Sequence, residues 1–126
     1  MGKHALVAVG LCFGLAGCGS GPHEAPPTRS AFVADANRIC ATAKTRAERV
    51  AGLRALRAPT GGEALYARWL QAEEDAIASA KLLADGSTLE GDPLVLLAIA
   101  EGKVTGYARR MGAETCAKRT IGTMPP

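Results

Sequence analysis

Apolar residues recur at intervals of three and four through three stretches of the chain, the period of an α-helix with one inward face. The first stretch predicts a helix from about Ala31 to Leu56, with Ser30 as N-cap and Pro59 as the stop. Its inward stripe is Phe32, Val33, Ala36, Ile39, Cys40, Ala43, Ala47, Val50 and Leu53, and its other side carries Arg38, Lys44, Arg46, Arg49, Arg54 and Arg57 against only Asp35 and Glu48. The second helix follows Thr60-Gly61-Gly62-Glu63, which has the Thr-x-x-Glu form of a capping box. Leu65, Trp69, Ala72, Ala76, Ala80 and Leu83 make its core stripe, widened by Tyr66, Leu70 and Ile77, and Gly86 lies just past its end. The third has Asp92 as N-cap and Pro93 at its first helical position. Leu94 to Ala100 is apolar nearly all round, which predicts burial between the other two helices; Tyr107 and Met111 continue the inner face and Gly112 ends it. Ala98, Gly102 and Gly106 fall four apart and read as tight packing within the bundle, since Glu101, Lys103, Arg109 and Arg110 exclude a membrane span.

A different pattern precedes the helices. Met1-Gly2-Lys3-His4 is short and basic, Ala5 to Leu15 is apolar, and Leu15-Ala16-Gly17-Cys18 closes the run with small residues before a cysteine. The apolar run is well short of the roughly 20 residues that span a bilayer. The four closing residues resemble the lipobox of bacterial lipoproteins, in which signal peptidase recognises the equivalents of Leu15, Ala16 and Gly17. The resemblance implies that Cys18 receives a diacylglycerol and becomes the new amino terminus. An ordinary secretory signal peptide ending in cysteine is the competing reading. Residues 1–17 are then a cleaved signal peptide, 18–29 a Gly- and Pro-rich flexible linker, 30–117 the helical domain and 118–126 a frayed tail. The partner so implied is membrane lipid, reached through acylated Cys18, on the extracytoplasmic face of the cell membrane; two acyl chains suffice for stable attachment.

Composition narrows the rest. Of the 126 residues, the 109 after the leader allow one domain. Removing Lys3 from the 15 Lys and Arg leaves 14 against 12 Asp and Glu, a near-neutral balance that gives no reason to expect nucleic acid. Two Phe, two Tyr and one Trp amid many alanines favour helices packed through small side chains over a sheet.

Cys12 leaves with the leader and Cys18 carries lipid, so Cys40 and Cys116 are the two thiols left in an oxidising compartment and are expected to form a disulfide. Two isolated thiols with no histidine in the folded part make a poor metal site, and no base is placed to activate a nucleophile. In an up-down-up bundle Cys40 stands roughly 14 Å along helix 1 while helix 3 finishes near 29 Å, so Gly112 must turn the chain back for Cys116 to reach it. A break in helix 1 near Gly52 is the alternative, with a fourth short helix and chain ends brought together. The expected fold is therefore all-α: a three-helix antiparallel bundle, or a four-helix one if helix 1 breaks, cross-linked by one disulfide.

The lipobox, the Pro-rich linker, Asn37-Arg38-Ile39-Cys40-Ala41 and Met111-Gly112-Ala113-Glu114-Thr115-Cys116-Ala117 together resemble a set of small lipoproteins and secreted helical proteins of actinobacteria. That set has no established activity, so the resemblance implies an envelope location and no chemistry.

Three functional classes are weighed. A non-catalytic envelope module binding another protein or the cell-wall matrix agrees with the anchor and linker. A carrier or sensor of a small apolar ligand or lipid would use space beside the Ala- and Gly-rich face of helix 3. An enzyme would have to rely on carboxylates, because His23 is the one histidine outside the leader and lies in the linker. Glu73, Glu74 and Asp75 are consecutive and cannot converge, so Glu101 is the mid-helix partner a carboxylate pair would need. No enzyme, cofactor or metal is expected. The basic side of helix 1 is read either as facing anionic lipid or as offset by the acidic second helix.

Overall fold

The computed structural model describes residues 24–86 and 91–118. They form five α-helices: α1 (Arg29–Thr42), α2 (Arg46–Ala55), α3 (Glu63–Ala84), α4 (Pro93–Met111) and α5 (Glu114–Lys118), with no strand among the described residues. The all-helical reading holds, but the expected count of three or four becomes five. The leader, Leu15, Ala16, Gly17 and Cys18, and the segment after Lys118 lie outside the described residues. Lys118 itself, expected in the tail, closes α5.

Helix 1 is broken, and at Ala43 rather than at Gly52. Ala43 is extended (φ −60°, ψ 132°) and Thr45 starts a new helix. The cause is local. Thr45 Oγ1 accepts from the Glu48 N–H at 3.1 Å, and Glu48 Oε2 reaches back to accept from the Lys44 N–H at 2.8 Å. Thr45-Arg46-Ala47-Glu48 is thus a working Thr-x-x-Glu cap, with the return bond one residue earlier than usual. The same pattern at Thr60 to Glu63 does not act so. Thr60 and Gly61 (φ +79°) are consumed in a tight turn closed by Gly62 N–H to the Pro59 carbonyl at 2.9 Å, and α3 begins from Gly62 with no side-chain cap. α1 likewise starts two residues before the expected Ser30 cap, on Thr28, whose Oγ1 accepts from the Ala31 N–H at 3.2 Å.

Because α2 doubles back, the helices alternate in direction. Tyr66 at the start of α3 meets Leu53 near the end of α2, while Arg49, a turn earlier in α2, meets Glu73, two turns on in α3. Arg29 Nη2 donates to the Arg110 carbonyl at 2.7 Å, so the start of α1 lies beside the end of α4. Four helices would leave the chain ends together, as a broken first helix implies, but the fifth, α5, carries the chain back onto α1 near Asn37 and Cys40.

Gly112 turns the chain as the sequence required. At φ +88° it occupies the left-handed region, its N–H bonds to the Arg109 carbonyl at 2.9 Å, and the Ala113 N–H bonds to Ala108 at 2.8 Å, the paired bonds of a Schellman ending. The return carries α5 onto α1, where Asn37 Oδ1 accepts from the Thr115 N–H at 3.0 Å. Cys116 then meets Cys40 with their Cα atoms 5.1 Å apart, and the disulfide is formed.

The core beneath that bond is Phe32, Ala36, Leu53, Tyr66, Trp69, Val104, Ala108 and Met111, all buried. Phe32 stacks edge-on against Tyr66 with ring centroids 5.1 Å apart, and Tyr66 against Trp69 at 6.3 Å. The described end of the linker is held too, since Arg57 Nη1 donates to the Glu24 carbonyl at 2.5 Å.

Two packing expectations are overturned by the break. At about 1.5 Å per residue, α3 and α4 run about 33 and 28 Å, whereas α1 and α2 reach only about 21 and 15 Å. The folded-back first helix cannot cover the far half of the α3–α4 hairpin. Leu94, Val95, Leu96 and Ile99, expected to be buried, are 58, 52, 39 and 50% exposed, and burial on α4 begins at Ala100. Gly102 and Gly106 are exposed as well, and a Cβ added at either would meet nothing within 4 Å, so they do not mediate tight packing inside the bundle.

Candidate functional site

Two features stand out once the helices are placed: a buried set of charges between α2, α3 and α4, and an apolar face on the outside of α4. The charged set arises from the re-phased α2. Arg46, Arg49, Val50 and Leu53 are spaced at three and four and all point inward. Glu73 lies on the inward face of α3, one turn from Trp69 and from Ala76.

Glu73 is fully buried and its carboxylate is surrounded by donors. Arg49 Nη2 lies 2.6 Å from Oε2, Trp69 Nε1 donates to Oε1 at 3.2 Å, and Arg46 Nη1 stands 3.9 Å from Oε2. Arg46 also donates through Nη2 to Glu101 Oε1 at 2.7 Å, linking α2 to α4. Arg46 therefore sits between the two carboxylates that a carboxylate-pair mechanism would have used. Glu73, Glu74 and Asp75 diverge as expected: Glu73 points into the core, Glu74 pairs with Arg54 at the surface, and Asp75 accepts from Gln71 at 2.9 Å. The set joins three helices through ions taken out of water, which requires that each have a hydrogen-bonded counterpart.

Beside this set the Tyr66 hydroxyl donates to the Leu53 carbonyl. Burial pushes its phenol up from 10.0 to about 12, while the nearby Arg54 charge works in the opposite direction.

The structure joins Cys40 and Cys116, as the cysteine count expected, and seals both from solvent. Arg46 and Arg49, which the helical period assigns to the basic outer side of helix 1, are instead 4 and 0% exposed. The acidic second helix of the sequence reading offsets Arg49 through Glu73 and Arg54 through Glu74, while Arg46 is shared between Glu73 and Glu101 of α4. The inward position of Glu73 is legible in its place one turn after Trp69 and one before Ala76, but taken with Glu74 and Asp75 it reads only as one of three consecutive acids. Among the described residues, no group of three or more His, Cys, Asp or Glu side chains is placed to hold a metal ion, and no helix is long and apolar enough to cross a membrane.

The second feature is simpler. Along the outside of α4, Leu94, Val95, Ala98, Ile99, Gly102 and Gly106 form one exposed stripe without a charge. No family model, curated protein or solved structure matches the chain.

Proposed function

We propose that this chain is a lipid-anchored protein of the cell envelope, in which Cys18 carries the lipid and the helical domain serves as a non-catalytic interaction module. The observation that carries the reading is the uncovered apolar face of α4, on a domain whose buried charges are engaged with one another. Scattered apolar residues on a surface are ordinary, whereas a contiguous stripe of them marks a contact surface. The lipobox Leu15-Ala16-Gly17-Cys18 supports the anchor, and its resemblance to that of bacterial lipoproteins supports an extracytoplasmic location. The oxidised Cys40–Cys116 pair agrees with such a compartment.

The test is to grow cells expressing the full chain with a clickable palmitate analogue, beside a Cys18→Ala variant. Label on the wild-type chain in the membrane fraction, lost in the variant, is the expected result. An unlabelled wild-type chain in the soluble fraction would sink the anchor.

A further inference from the structure

We infer that the outward face of α4 binds a second copy of this chain, α4 packing antiparallel on α4 about a two-fold axis that passes midway between residues 100 and 101. The inference rests on the domain being an interaction module and names its partner.

The face is unequal along its length. Its first half carries the large residues Leu94, Val95 and Ile99, each half exposed or more, and its second half carries Gly102 and Gly106. The opposite side of α4, with Ala100, Val104, Ala108 and Met111, is already buried. A face with knobs at one end and open glycine notches at the other is complementary to itself when reversed. With the axis at residues 100 and 101, Ile99 falls opposite Gly102 of the second copy and Val95 opposite Gly106, each large side chain entering a space where nothing lies within 4 Å of the missing Cβ. A parallel pair would set large on large and leave the glycines facing a gap.

Charge selects the same arrangement. The axis that pairs Val95 with Gly106 and Ile99 with Gly102 also brings Asp92, at the start of α4, opposite Arg109 of the second copy, near the end of its α4. Both ends are matched, since the two-fold repeats every contact. The helix dipoles also oppose head to tail. In a parallel pair Arg109 and Arg110 would approach their own copies.

The stripe from Leu94 to Gly106 is only about 20 Å long at 1.5 Å per residue. One such helix face offers less than the roughly 800 Å² per partner of a standard stable interface, so the pair is weak in free solution. Copies anchored on one membrane surface meet at a raised effective concentration, which favours the pair without any new contact.

The decisive experiment introduces one thiol at a time on the exposed face. Full-length chains carrying Val95→Cys or Gly106→Cys, with different tags, are produced singly and together in the cells that make the protein, treated with a mild oxidant, and separated on non-reducing gels. A doubled-mass species containing both tags when V95C and G106C are together, weak for either alone and lost when Ile99→Glu is added, is the expected result. Equal cross-linking of V95C to itself would overturn the antiparallel arrangement. No doubled species, or capture of a different protein or of the chain's own segment in its place, would overturn self-association. Retention of the Cys40–Cys116 bond, checked by mass after thiol blocking, shows that each variant is folded. As a second measurement, wild type in mild detergent should sediment as a concentration-dependent monomer and dimer, and I99E as a monomer. Membrane fractionation of the same samples separates the two ideas: a soluble chain sinks the anchor, whereas a membrane-bound chain without the heterotypic cross-link sinks the α4 pair.

Discussion

Replacing Glu73 by leucine should destabilise the domain strongly, for a reason that is electrostatic rather than volumetric. The carboxylate is fully buried and is the nearest anion to Arg49, at 2.6 Å, with Trp69 Nε1 at 3.2 Å and Arg46 at 3.9 Å. Leucine fills much of the same space, so little cavity forms, but a buried guanidinium loses its nearest carboxylate. Removing one partner of such a pair costs about 3 to 5 kcal/mol, and Coulomb attraction at ~4 Å with an effective dielectric of about 20 gives a similar ~4 kcal/mol. Against a net stability of order 5 to 15 kcal/mol, that is a loss of about a fifth or more. Arg49→Met alone should also destabilise, by about 2 to 4 kcal/mol, because Glu73 keeps Trp69 and the more distant Arg46. The double variant Arg49→Met/Glu73→Leu removes both charges and leaves Arg46 with Glu101, 2.7 Å away, so it should lose less than about 2 kcal/mol. Urea unfolding of the oxidised domain, followed by circular dichroism, measures all four corners of the cycle. A Glu73→Leu loss below about 1 kcal/mol, or single losses that simply add in the double variant, would refute the reasoning.

Other consequences follow from the same geometry. Cys40→Ala/Cys116→Ala opens a cross-link between residues 76 apart and should cost about 4 to 5 kcal/mol on the chain-entropy account, read as a lowered urea midpoint; an unchanged midpoint would contradict it. The two kinds of glycine should separate cleanly in thermal melts: Gly52→Ala drives a Cβ to 2.8 Å from Ile39 Cγ2 and should destabilise by about 1 to 3 kcal/mol, whereas Gly102→Ala, in open space on a helix, should stabilise the fold by about 0.5 to 1 kcal/mol. Tyr66 stays protonated in the folded chain up to about 12 while the unfolded chain ionises near 10.0, so the unfolded state binds fewer protons between those values. The contribution of Tyr66 is fully present below pH 10 and is lost as pH rises toward 12, and the melting temperature of wild type should fall more steeply through that window than that of Tyr66→Phe.

What the amino-acid sequence determined by itself was a part of what local chemistry governs. Asp92 and Pro93 start α4, and Gly112 ends it in the left-handed conformation, because caps and positive φ angles depend on a handful of adjacent atoms. Helical periods placed Phe32, Ala36, Leu53, Trp69 and Met111 in the core, and elimination among four cysteines joined Cys40 to Cys116. What only the tertiary structure decided was which of two equivalent signals operates and which face of a helix finds a neighbour. Thr45 to Glu48 and Thr60 to Glu63 spell the same motif, yet the first caps a helix and the second is spent on a turn closed by Pro59 and Gly62. That choice breaks helix 1, rotates Arg46 and Arg49 from the solvent stripe into contact with Glu73, and shortens the layer that would have covered Leu94 to Ile99. A periodic pattern reports which side chains lie together along one helix, but burial depends on whether another helix is long enough to reach them. For the far half of α4 none among the described residues does, and its apolar face is left to the solvent or to a second molecule.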